Sequence, residues 1–188
     1  MVARFASAVL GLVVACSAAA ADGERHLTVT LSRGLPPVES VAVYQTKDGK
    51  RELVAEAAKF DKPIALPGAG PFEVFVKPKG GLAVRAVEKL TVKAGETHEL
   101  KTGDVLGTVE VVGDNLPRAD KVVVTDTRDP GPGEKGHVPV QAAAEYRVEM
   151  AVPPGTYAVW VVPANGAKAQ RVVDNVRVQA GRNVRVGD

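Results

Sequence analysis

Gly155-Thr156-Tyr157-Ala158-Val159-Trp160-Val161-Val162-Pro163 is the stretch on which the reading of the fold turns. Tyr157, Val159 and Val161 alternate with Ala158, Trp160 and Val162, a period of two rich in β-branched and aromatic residues. It predicts a strand whose Tyr/Val face lies in a core. A twin stands upstream at an offset of 85, Gly70-Pro71-Phe72-Glu73-Val74-Phe75-Val76-Lys77-Pro78, where Phe72, Val74 and Val76 form the inward face. Turn residues launch both: Leu66-Pro67-Gly68 before the first and Val152-Pro153-Pro154-Gly155 before the second.

Working outward, two more blocks repeat. Leu35-Pro36-Pro37-Val38-Glu39-Ser40-Val41-Ala42-Val43-Tyr44-Gln45-Thr46 aligns with Leu116-Pro117-Arg118-Ala119-Asp120-Lys121-Val122-Val123-Val124-Thr125-Asp126-Thr127 at an offset of 81. Leu90-Thr91-Val92-Lys93-Ala94-Gly95 aligns with Val176-Arg177-Val178-Gln179-Ala180-Gly181 at 86. Collinear blocks with slowly growing offsets mean a duplication with small insertions. The largest insertion is Arg128-Asp129-Pro130-Gly131-Pro132-Gly133-Glu134-Lys135-Gly136 in the second copy, whose Pro/Gly content places it in a surface loop.

The expected fold is therefore all-β: two tandem β-sandwich domains, residues 22–104 and 105–188, behind a leader at 1–21. Asp48-Gly49 signals a two-residue hairpin turn. Turn signals every eight to twelve residues suggest about seven strands per copy. Helix formers from Arg51 to Phe60 compete with this, but the counterpart from Val138 to Met150 reads as strand, and strand is expected for both. Gly155, Gly95 and Gly181 are each expected to take a positive φ before a strand, and Tyr157 to point inward. Copies this short bury only about 60% of their unfolded surface, so they should lean on each other.

Val152-Pro153-Pro154-Gly155-Thr156-Tyr157, followed by Val176-Arg177-Val178-Gln179-Ala180-Gly181, resembles the carboxypeptidase-regulatory-like and PEGA families. Their shared pattern is a Leu-Pro-Pro-Gly-x-Tyr turn and strand, then a Val-x-Val-x-x-Gly step. The resemblance implies a transthyretin-like or immunoglobulin-like sandwich and a non-catalytic module of secreted or surface proteins. The first copy departs from it, with Leu66-Pro67-Gly68-Ala69-Gly70-Pro71-Phe72 in place of the clean turn. Transthyretin-like folds include a purine-pathway hydrolase that relies on clustered histidines, an arginine and a Tyr-Arg-Gly-Ser ending. This chain has Asn183-Val184-Arg185-Val186-Gly187-Asp188 there.

Arg4, the apolar run from Phe5 to Val14 and the small residues Ala15–Ala21 have the form of a secretory signal peptide, shorter than the roughly 20 residues of a membrane span. Two processing routes stand side by side. Val13-Val14-Ala15-Cys16 resembles a lipobox, which would leave an acylated Cys16 as a membrane anchor; otherwise cleavage follows Ala20 or Ala21. The expected location is extracytoplasmic, whether periplasmic, secreted or lipid-anchored. Cys16 is the only cysteine, so no disulfide or cysteine-ligated metal is expected in the fold. With 24 Lys and Arg against 22 Asp and Glu, the charge carries no footprint for nucleic acid.

Catalysis needs a nucleophile with its base, a metal cluster or converging carboxylates. His26, His98 and His137 lie far apart in sequence without ligand spacing, and Ser32 and Ser40 lack a nucleophile elbow. Asp126, Asp129 and Glu134 offer carboxylates for calcium, but fit no cage spacing; a solvated acidic loop is the simpler reading. No catalytic residue, metal site or cofactor is expected. The remaining candidates are Phe75 and Trp160, equivalent positions on outward sheet faces. Such rings either pack beneath a loop, fill the junction between the copies or form a ligand platform. The sequence thus points to a non-enzymatic binding or scaffold protein with a protein or glycan ligand. The alternative is a carbohydrate-binding accessory protein using Trp160 and Phe75.

Overall fold

The computed structural model describes residues 23–58, 60–68 and 70–187; the leader and Cys16 lie outside them. The first copy comprises β1 (Arg25–Thr30), β2 (Val38–Lys47), β3 (Lys50–Ala57), β4 (Ile64–Leu66), β5 (Phe72–Pro78), β6 (Val84–Leu90) and β7 (Thr97–Lys101). A helical turn, α1 (Thr102–Val105), leads to β8 (Gly107–Val111), β9 (Ala119–Asp126), β10 (Pro139–Ala143), β11 (Glu149–Val152), β12 (Gly155–Pro163), β13 (Gln170–Val178) and β14 (Asn183–Val186). The segment with helix formers is strand β3, and its counterpart supplies β10 and β11.

Among the described residues four sheets form two matching pairs, of order β3-β2-β5-β6 with β4-β1-β7, and β10-β9-β12-β13 with β11-β8-β14. The first and last strands of each copy, β1 with β7 and β8 with β14, pair in parallel, while the other pairs are antiparallel. Lettered A to G along the chain, this is C-B-E-F over D-A-G, different from the A-B-E-D over C-F-G of immunoglobulin constant domains. Asp48 and Gly49, at φ 51° and 75°, make a two-residue turn with both residues left-handed, which matches the twist of β2 and β3.

The period-two faces pack as expected. Phe72, Val74, Val76, Val41 and Val43 are fully buried in one core; Val159, Val122 and Val124 occupy the other with Tyr157. Each such side chain contributes about 1.5–3 kcal/mol of burial. Gly95 and Gly181 have φ of 77° and 65° before the closing strands.

Gly155 differs from expectation, since it is not among the residues of positive φ. It is glycine for space: a Cβ there would stand 2.9 Å from Tyr157 Oη, which donates a 2.7 Å hydrogen bond to Pro153 O. Burial, helped by the charge of Asp126, pushes the Tyr157 phenol up to about 12. Gly155→Ala should therefore displace the ring and break this bond, costing about 1–2 kcal/mol. A thermal midpoint unchanged from wild type would contradict that account.

The copies do lean on each other. Ala151 on β11 and Leu106 beyond α1 pack into the first copy's core, and Gly181 N–H donates to Leu106 O. Gln141 on β10, 1% exposed, reaches across to the β5–β6 turn. Its Oε1 accepts from Leu82 N at 2.7 Å, and its Nε2 donates to Leu82 O at 3.1 Å and to Ala151 O at 3.3 Å. Among the described residues, no helix is long and apolar enough to cross a membrane.

Candidate functional site

The outward faces of the two larger sheets differ because one is roofed and the other is open. Pairing of β12 with β9 sets Trp160 opposite Val123, and pairing of β5 with β2 sets Phe75 opposite Ala42. The two rings therefore hold equivalent positions, and the insertion distinguishes their surroundings.

In the second copy the β9–β10 segment folds back over the sheet. Gly131, buried at φ 100°, lies so close to the indole that a Cβ would come 2.5 Å from Trp160 Cη2. Trp160 Nε1 donates to Thr125 Oγ1 at 3.1 Å, and the Arg171 guanidinium stacks 5.6 Å from the ring while its Nη2 donates to Thr127 O. Val123, Thr125 and Ala158 beneath the roof are fully buried.

Asp129 holds the roof in place. Its Oδ1 accepts from Gly131 N at 2.8 Å and from His137 Nδ1 at 2.7 Å, and its Oδ2 accepts from Val138 N at 2.7 Å. Burial opposes the charge, but these three hydrogen bonds and the charge of His137 outweigh it and keep the carboxyl below its ordinary value. Glu134, at the outer end, ion-pairs with Lys168 at 2.7 Å. The three acids considered for calcium thus point to separate tasks, since Asp126 Oδ1 accepts from Arg128 N. Among the described residues no group of His, Cys, Asp and Glu is arranged to hold a metal. Of the remaining histidines, His26 lies on β1 beside Glu24, and His98 is exposed on β7.

In the first copy the equivalent face has no insertion over it. Phe75 stands edge-on to Tyr44 with centroids 5.3 Å apart at 80°, and Arg51 lies over both rings, 5.1 Å from Phe75 and 5.8 Å from Tyr44. Ala42 forms a low floor between them, and Glu56 and Lys77 complete the walls of an open hollow of about 410 Å³. Arg51 Nε lies 2.7 Å from Glu73 Oε2, an ion pair off the hydrogen-bond axis, because that buried oxygen makes no hydrogen bond. Arg85 approaches the other oxygen of Glu73 at 3.6 Å, and Lys77 pairs with Glu39 at 3.1 Å.

Of the two candidate rings, Phe75 thus lines an open hollow and Trp160 lies beneath a loop. Tyr44 and Arg51 were not among the candidates. Their signal is the alternation of β2, which turns Tyr44 outward once Val41 and Val43 face inward, and the hairpin register, which sets Arg51 opposite Thr46.

No protein-family model matches the chain, and no curated protein matches it. Among solved structures, the Bacillus anthracis TIE protein is 17% identical with a TM-score of 0.29, over 87% of this chain and 33% of that one. A leucine-rich repeat protein from Bacteroides thetaiotaomicron is 15% identical with a TM-score of 0.30, over 87% and 25%. A candidate cell adhesion protein from Bacteroides ovatus is 11% identical with a TM-score of 0.27, over 88% and 92%. The chain spans about a third and a quarter of the first two. Likenesses this slight assign no function.

Proposed function

We propose that this is a non-catalytic binding protein working outside the cytoplasm, with its ligand face on the outer surface of the β3-β2-β5-β6 sheet. One observation carries the reading. Two equivalent faces occur in one chain; the second copy covers its own, and the first leaves Phe75, Tyr44 and Arg51 lining a hollow. A ring pair already locked edge to face beneath a guanidinium loses little freedom on binding, so its contact area counts nearly in full.

A polypeptide ligand fits this surface better than a glycan. Gly131 occupies the face of Trp160, the ring that would stack on a sugar. Peptide and glycan arrays probed with wild type, Phe75→Ala and Tyr44→Ala proteins test the reading. Either truncation should weaken the wild-type ligand about tenfold or more without a change in melting. A ligand held equally by all three proteins would sink the proposal. Export is tested by mass spectrometry of the mature terminus, where an acylated Cys16 or a free amine at Ala21 or Asp22 is expected and an intact Met1 would refute it.

A further inference from the structure

The second copy displays, in place, what an occupied version of the open face looks like. Over its Trp160 runs Asp129-Pro130-Gly131-Pro132-Gly133, a Pro/Gly-alternating segment whose central glycine backbone rests on the ring. Proline fixes φ and glycine permits both a left-handed turn and close approach to an aromatic face; here Gly131 and Gly133 take φ of 100° and 88° as the segment turns, Glu134 N donating to Gly131 O. The equivalences are detailed. Phe75 stands where Trp160 does, each beside its partner on the neighbouring strand, and Arg85 opposite Phe75 matches Arg171 opposite Trp160. Arg171 donates to a carbonyl of the covering segment, Thr127 O. Arg85 makes only a 3.6 Å approach to Glu73 and so can do the same for an incoming chain.

The charges point the same way. Among the described residues, the three cations Arg51, Arg85 and Lys77 around the hollow are matched by the three carboxylates Glu73, Glu39 and Glu56, so its charges cancel and give no net pull on an anionic ligand. Recognition must then come from the rings and the small floor at Ala42.

From this we propose that the open face of the first sandwich binds a turn-forming Pro/Gly-rich polypeptide segment of another protein, laid across Phe75 and Tyr44 as the insertion is laid across Trp160. The inference rests on the reading above and names the class of ligand.

The probe is a synthetic peptide with the sequence of residues 127–136, added to the full-length mature protein and followed by backbone amide NMR. The expected result is weak saturable binding that shifts Ala42, Tyr44 and Phe75 while leaving the amide of Trp160 in place. Alanine at both prolines of the peptide, or Phe75→Ala in the protein, should weaken it about tenfold. Ala42→Arg, which fills the hollow and keeps both rings, should also abolish binding, so loss of fold in the Phe75 variant cannot be mistaken for support. Three results overturn the inference: no shifts at the hollow, shifts centred on Trp160 through exchange with the resident loop, or equal binding of the proline-free peptide. If the peptide fails while an array ligand still depends on Phe75 and Tyr44, the ligand class is wrong and the binding face stands. If array ligands too are indifferent to these residues, the face itself is wrong.

Discussion

Asp129→Ala is expected to lift the β9–β10 roof off the second sheet, exposing Trp160 and costing about 2–3 kcal/mol. Three donors, Gly131 N, His137 Nδ1 and Val138 N, converge on a carboxylate whose side chain is 5% exposed. A hydrogen bond to a charged group contributes about 1.5–3 kcal/mol, but bonds within one cluster do not add, and water reaching the opened loop recovers part of the loss. Trp160 is the only tryptophan, so its emission reports on this loop alone. The variant should show red-shifted emission and stronger acrylamide quenching. Acid should act the same way in wild type. The folded carboxyl titrates below its ordinary 3.8, so its stabilisation is complete above that pH and is lost as pH falls through the lower folded value. Indole emission unchanged both in Asp129→Ala and in wild type below pH 3.8 would show that Asp129 does not hold the roof.

That one copy carries its own cover bears on what local sequence can express. The duplication, the inward faces of β5 and β12, and the Asp48-Gly49 hairpin were all legible because each is encoded within one strand or turn. Strand order was not, because it depends on parallel pairing between the ends of each copy, β1 with β7 and β8 with β14, which no local periodicity records. Gly155 was misread for a related reason: its lack of a side chain answers to the ring two residues on, not to backbone conformation. At the site, Phe75 and Trp160 were visible as outward aromatics, but which of them would be covered depended on where the insertion folded. The acids of the insertion and His137 were visible singly. Their division into a buried Asp129–His137 pair and an exposed Glu134–Lys168 pair is a property of the folded loop.

Gln141→Ala should uncouple the two sandwiches. In the Ala-rich strand β10 this residue sits at an inward position, and its amide forms a strand-like bridge to the backbone of Leu82 in the other copy. Truncation leaves the N–H and C=O of Leu82 and the carbonyl of Ala151 without these partners. The orphaned carbonyl of buried Ala151 costs about 1–3 kcal/mol, whereas Leu82, 41% exposed, regains water at its N–H and C=O, so the total is about 2 kcal/mol. The loss falls on the junction, so cooperativity should change more than the melting of either core. Trp160 reports unfolding of the second copy alone, whereas far-ultraviolet circular dichroism reports both. In wild type the two denaturation curves should coincide, and in Gln141→Ala they should separate. Gln141→Glu sharpens the test, since a carboxylate still accepts from Leu82 N but cannot donate to Leu82 O or Ala151 O and places a charge in a buried setting. It should be at least as destabilising as alanine. If the curves still coincide in both variants, with midpoints equal to wild type, the Gln141 bridge does not couple the copies, and the apolar packing of Leu106 and Ala151 must do so alone.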